Sequence, residues 1–130
     1  MDVMGLTQFP NGVGTDVDGV LYAEIADVSS GASSWTGALP FDVEITGAVV
    51  TIDTAVSSAD ADITFEIGGV AITSMAATVA FSGSAAGDSF TAVAPTGAFA
   101  LTTGTAVEVI TDGGSTDASK GTVCISYKRV

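Results

Sequence analysis

At 130 residues, with 47% hydrophobic and only 14% charged side chains, the chain has the length of one domain with one core and a surface short of charge. Fifteen acidic groups against three basic ones (Lys120, Lys128, Arg129) give a net charge of −12, which excludes a phosphate-tracking nucleic-acid binder and disfavours an anionic membrane. With no histidine and one cysteine, a Ser–His–Asp or Cys–His nucleophile cannot be assembled, so the chain is expected not to be an enzyme and to carry no catalytic residue, cofactor or metal.

Residues 1–18 differ from the rest. Phe9-Pro10-Asn11-Gly12 and Val13-Gly14-Thr15-Asp16 contain breakers and no sustained period of two. This predicts an extended N-terminal arm with Met4, Leu6 and Phe9 as anchors. At roughly 3.3 Å per residue it is long enough to reach a neighbouring subunit. Met1-Asp2-Val3-Met4 has neither the charged region nor the apolar core of a secretory signal, and no apolar stretch approaches the roughly 20 residues that cross a bilayer.

Residues 19–130 read as short strands. The first run is Val20-Leu21-Tyr22-Ala23-Glu24-Ile25-Ala26-Asp27-Val28. In Phe41-Asp42-Val43-Glu44-Ile45 strict alternation puts the apolar residues on one face and both acids on the other. Gly47 then precedes Ala48-Val49-Val50-Thr51-Ile52-Asp53-Thr54, giving either one bulged strand or two meeting at a bend. Gly68-Gly69 between Ile63-Thr64-Phe65-Glu66-Ile67 and Val70-Ala71-Ile72-Thr73 predicts a hairpin.

Further strands are predicted at 78–82, 89–93, 98–101, 106–111 and 122–128, with a single helical turn as the one candidate helix, at 74–80. The stretch 112–121 has the composition of an exposed, mobile hairpin tip. Eight to ten strands at close spacing predict an all-β fold, an antiparallel β-sandwich arranged like a jelly roll. Its expected inward residues are Leu21, Phe41, Val43, Ile45, Val50, Ile52, Ile63, Phe65, Ile67, Phe81, Phe90, Val107, Val109, Val123 and Ile125. The lone Cys124, inside the last run, is expected to be a small buried hydrophobe.

Function has few candidate carriers. A weakly charged, small-residue surface is expected to be covered by partners, which points to a homo-oligomer. Asp42/Glu44 and Asp60/Asp62 have the spacing of a carboxylate pair but equally that of a solvated sheet face, the reading preferred here. Asp16-Val17-Asp18-Gly19 opens like a calcium loop, yet its twelfth position is Asp27 rather than Glu. Trp35, in Ser33-Ser34-Trp35-Thr36-Gly37, is a sugar platform, an interface anchor or a cap on the core. Lys128 and Arg129 either meet an acidic partner surface or are a solvated end.

The opening Thr7-Gln8-Phe9-Pro10-Asn11-Gly12-Val13 resembles the arm of small virion proteins from tailed bacteriophages. The closing Gly104-Thr105-Ala106-Val107-Glu108-Val109-Ile110-Thr111-Asp112-Gly113-Gly114-Ser115, followed by a loop and a strand ending in Lys128-Arg129, is similar to the terminal hairpin of that group, which includes capsid decoration (cement) and head-fibre proteins. The resemblance implies a jelly-roll homotrimer on the outer capsid surface of a virion. Its arm, through Leu6, Phe9, Pro10 and Asn11, would contact neighbouring subunits or the major capsid protein, and bridging capsomers would stabilise the shell. The alternative is a head or tail fibre component that recognises a host glycan near Trp35 and the 112–121 tip.

Overall fold

Alternation of apolar and polar side chains decides which side of each strand is buried, and the chain applies this rule from residue 19 onward. The computed structural model describes residues 18–31, 34–95, 99–113 and 118–130. The expectations for the arm, including Leu6, Phe9, Pro10 and Asn11, lie outside the described residues, as does Asp16. The strands are β1 (Gly19–Ile25), β2 (Trp35–Ala38), β3 (Val43–Ile52), β4 (Ala61–Ile67), β5 (Val70–Val79), β6 (Ser89–Thr91), β7 (Phe99–Leu101), β8 (Ala106–Thr111) and β9 (Gly121–Arg129). Among the described residues there is no helix.

Two antiparallel sheets pack into a sandwich. One has the order β1-β9-β3-β6, with β7 also against β3; the other has the order β2-β8-β4-β5. Pairing is nested: β1 lies beside β9 and β2 beside β8. The connections after β1, β2, β3, β5, β7 and β8 all pass from one sheet to the other. The connections after β1, β3, β5 and β8 gather at one end of the sandwich, and residues 18 and 130 lie at the opposite end.

The predicted hairpin at Gly68-Gly69 is present, with φ of 58° and 82°, the left-handed pair that a two-residue turn needs between twisted strands. Residues 41–54 resolve into one strand, β3, bulged between Ile45 and Gly47 so that Ile45 and Ala48 both face the core. Residues 70–73 and 78–82, read as separate strands, belong to or border a single β5, which corrects the helical turn expected at 74–80. Between the pairs Thr64–Ala76 and Glu66–Ala71, Phe65 is opposed by residues 72–75. Ser74 there has φ 70°, and the extra length lets Ile72 and Met75 both point inward.

The core joins both sheets: Ala23, Ile25, Val43, Ile45, Val50, Ile52, Val123 and Ile125 from one, and Ile63, Phe65, Ile72, Met75, Val79, Val107 and Val109 from the other. Leu21, Phe41, Ile67 and Phe90 are partly buried around it. Phe81 is not inward. It lies past the end of β5, is 46% exposed, and its backbone N–H donates to Asp60 Oδ1 at 3.0 Å. Loop side chains close the four-loop end, with Val28, Val56 and Ser119 buried.

Two other expectations are corrected here. β8 and β9 are not a hairpin, because they lie in different sheets; nine connecting residues, unlike two, impose no pairing. Nor is the end of that connection an exposed tip. Ser119 is buried, its N–H donates to Asp27 Oδ1 at 3.1 Å, its hydroxyl donates to Thr54 O at 2.6 Å, and its carbonyl accepts from Val28 N at 2.7 Å.

Candidate interaction surface

The paired carboxylates serve as structural pins. Strand β3 begins at Val43, so Asp42 does not share a strand face with Glu44. It turns instead to the loop after β7, where Oδ1 accepts from Thr103 N at 2.7 Å and Thr103 Oγ1 at 2.8 Å. These two donors, the backbone one foremost, hold the Asp42 carboxyl below the usual carboxylate range. Glu44 pairs with Lys128 Nζ at 3.3 Å. Asp62 Oδ1 accepts from Thr78 Oγ1 at 2.7 Å.

Elsewhere the carboxylates receive backbone N–H groups of loops, turns and strand ends. Asp18 takes that of Arg129, Asp27 those of Ser29 and Ser119, and Asp53 that of Lys120. Asp88 takes that of Ala85, Glu108 that of Gly69, and Asp112 that of Asp62. Each supplies an acceptor to backbone at a loop, a turn or the end of a strand. No group of three or more metal-ligating side chains occurs among the described residues.

The three side chains singled out for partner binding are not brought together. Trp35 stands in β2 rather than in a loop, at the four-loop end. It is half-buried against the core, and its ring lies across Gly37, where a Cβ would come within 2.2 Å of the indole. Of its three readings, the cap on the core fits this geometry. Lys128 and Arg129 end β9 at the other end and point to opposite faces. Lys128 is ion-paired, while the Arg129 guanidinium lies 4.2 Å from the centroid of the Phe41 ring, itself 6.1 Å from that of Tyr127.

The outward faces of the two sheets differ in character. On the β2-β8-β4-β5 sheet, Asp62, Glu66 and Glu108 point outward, with Glu66 directly opposite Glu108. On the β1-β9-β3-β6 sheet the central row is Tyr22, Cys124, Val49 and Thr91, taken across four strands in register. Tyr22 is 66% exposed, Val20 45% and Val49 36%. Thr51 and Ser89 share a hydrogen bond at 2.8 Å, as do Thr46 and Ser126 at 2.9 Å. Charge lies at its margins: Glu24 at one corner, with Asp53 and Lys120 just beyond the strand ends there, and the Glu44–Lys128 pair at another.

Cys124 belongs to this face and is half-buried, not a core residue. Val123 and Ile125 take the core side, and the pleat turns the residue between them outward. A cleft of about 460 Å³ opens at the four-loop end of the same sheet, bordered by Glu24, Thr51, Asp53, Lys120 and Thr122. The exposed apolar side chains of β1 and β3 were legible only as strand residues. Their signal is the run Val20-Leu21-Tyr22-Ala23, apolar at successive positions and therefore apolar on both faces. Comparison of the chain with protein-family models, with curated proteins and with solved structures finds no match.

Proposed function

We propose that this chain is a virion structural protein of a tailed bacteriophage: a jelly-roll capsid decoration (cement) protein, assembled as a homotrimer, that binds the outer surface of the major capsid shell and bridges capsomers. The observation that carries this reading is the outer face of the β1-β9-β3-β6 sheet, partly apolar and with its charges at the margins, on a chain of net charge −12. Such a face is suited to contact with protein. The nested strand order supports the jelly-roll assignment, since two strands lying side by side at the chain's ends and the next two beneath them is what winding one long hairpin into two sheets produces. The ends of the sequence support the phage assignment through their resemblance to that group.

In this reading the work is adhesion. Burying surface between capsomers adds stability to a shell under internal load, and preference for the expanded lattice stabilises that lattice by mass action. Leu6, Phe9, Pro10 and Asn11 are assigned to the arm that grips the major capsid protein or a neighbouring subunit. The test is co-sedimentation of the full chain with expanded and unexpanded shells of the phage that carries it. Binding to expanded shells, lost in Leu6→Asp/Phe9→Asp with the melting temperature unchanged, is the expected result. A wild-type chain that ignores both kinds of shell rejects the function; a double variant that still binds rejects the role of the arm.

A further inference from the structure

An antiparallel sheet with one wet side ordinarily alternates apolar-in with polar-out. β1 breaks that rule. Ala23 and Ile25 are buried, while Val20 and Tyr22 on the other side are also apolar and largely exposed. Around them the hydroxyls of Thr51 and Ser89, and of Thr46 and Ser126, bond to one another, so covering them strands few unpaired polar groups. β1 is also the edge strand of its sheet, and Gly19–Ile25 contains no proline, lysine or bulge to guard that edge. Among the described residues, an apolar face and an unpaired edge thus adjoin along one strand.

We infer that this face is where two copies of the chain meet, patch against like patch, a two-fold contact between neighbouring decoration units that rests on the proposed function and is distinct from the contacts within a trimer. Charge selects the occupant. Each copy carries −12, so contact through most other surfaces sets acid against acid. The opposite sheet would bring Asp62, Glu66 and Glu108 of each copy together, and the four-loop end would bring Asp27, Asp53, Asp60 and Asp88. The row through Tyr22, Cys124 and Val49 brings no carboxylate to the contact. A basic partner, by contrast, finds only Glu24 and Asp53 at the margin, with Lys120 beside them, because Glu44 is already held by Lys128.

In flat projection the face measures roughly 15 by 20 Å, about 300 Å². This is well short of the roughly 800 Å² per partner of a stable pair. Self-association is therefore concentration-dependent in solution and completed where copies are held side by side, as on a shell.

Sedimentation equilibrium of the full chain across about 1–500 µM tests the inference, a range suited to a small interface. The weight-average mass is expected to rise with concentration. Tyr22→Lys and Val49→Lys should each raise the dissociation constant by at least about 30-fold, the loss typical of an interface anchor. Val70→Lys, at an exposed site beside the β4–β5 hairpin, should leave it unchanged. Melting temperatures of all three verify folding.

In the wild type, maleimide labelling of Cys124 should slow as concentration rises, a readout that needs no variant. A monomer at every concentration, or association indifferent to both lysines in the central face, overturns the inference. A monomer whose binding to shells is abolished by Tyr22→Lys also overturns it, giving the face to the capsid protein: the shell-binding part of the proposed function then stands and its trimer does not. Self-association through this face in a chain that ignores shells upholds the inference and removes the proposed function.

Discussion

Gly121 opens β9 where the loop after β1 folds back over the sheet, and a methyl group there has nowhere to go. A Cβ at this position would lie 2.4 Å from Val28 Cγ1, about 1.4 Å inside ordinary carbon contact. Val28 cannot step aside. It is fully buried, and its N–H is bonded to Ser119 O, whose own hydroxyl is tied to Thr54 O. Gly121→Ala should therefore cost about 1–3 kcal/mol by overpacking, offset by about 0.4–1 kcal/mol from the restricted unfolded chain. The net is about 1–2 kcal/mol, or a melting temperature lower by roughly 4–8 °C.

Val28→Ala removes two methyls and leaves a cavity, at about 2 kcal/mol. Combined, the new methyl enters the space the valine vacates, so the double variant should be at least about 1 kcal/mol more stable than the sum of the singles implies. Urea titrations of the four proteins, followed by Trp35 fluorescence, measure this cycle. Additive costs, or a Gly121→Ala protein as stable as the parent, would refute the packing argument.

The other predictions concern loops. Because Thr103 lowers the Asp42 carboxyl in the folded state, its contribution is present above the unfolded value of about 3.9 and lost as pH falls through the lower folded value. Asp42→Asn should flatten the acid limb of the stability curve below about pH 4, and superimposable limbs in a pH series of melts would count against this. Asp27→Ala leaves the N–H groups of Ser29 and Ser119 without their acceptor, at about 2 kcal/mol. Hydrogen exchange should quicken at both amides, and unchanged protection would contradict the pin. Gly69→Val forces a branched residue to φ 82° and should cost about 1–2 kcal/mol by thermal melt. Gly68→Asn, at φ 58°, should be close to neutral.

What the sequence made legible follows from how local the determinants are. Gly68-Gly69 dictates its own turn, and residues 106–111 alternate cleanly enough to predict the bounds of β8. β2 was missed because four residues, Trp35 to Ala38, are too few to show a period, and the glycine among them reads as loop. Phe81 was placed inside on its apolar character, but two residues beyond the last core position of β5 there is no pleat left to turn it inward.

The sheet assignment of β8 and β9 depends on nonlocal pairing of Val123 and Ile125 with β1 and β3, which no window of sequence contains. The candidate surface was obscured for the same reason. Val20, Tyr22 and Val49 are adjacent only once register sets three strands side by side, whereas Trp35 and Lys128-Arg129, conspicuous by residue type, are separated by the length of the sandwich.

The side-by-side, antiparallel placement of β1 and β9 has a mechanical consequence. Residues 18 and 130 emerge together, so tension between them opens that ladder from one rim, rung after rung, like a zip. Traction between the rim bearing the four loops and the rim bearing residues 18 and 130 instead runs along the strands and must slide whole ladders at once. The domain is thus compliant to a pull between its ends and stiff along its length.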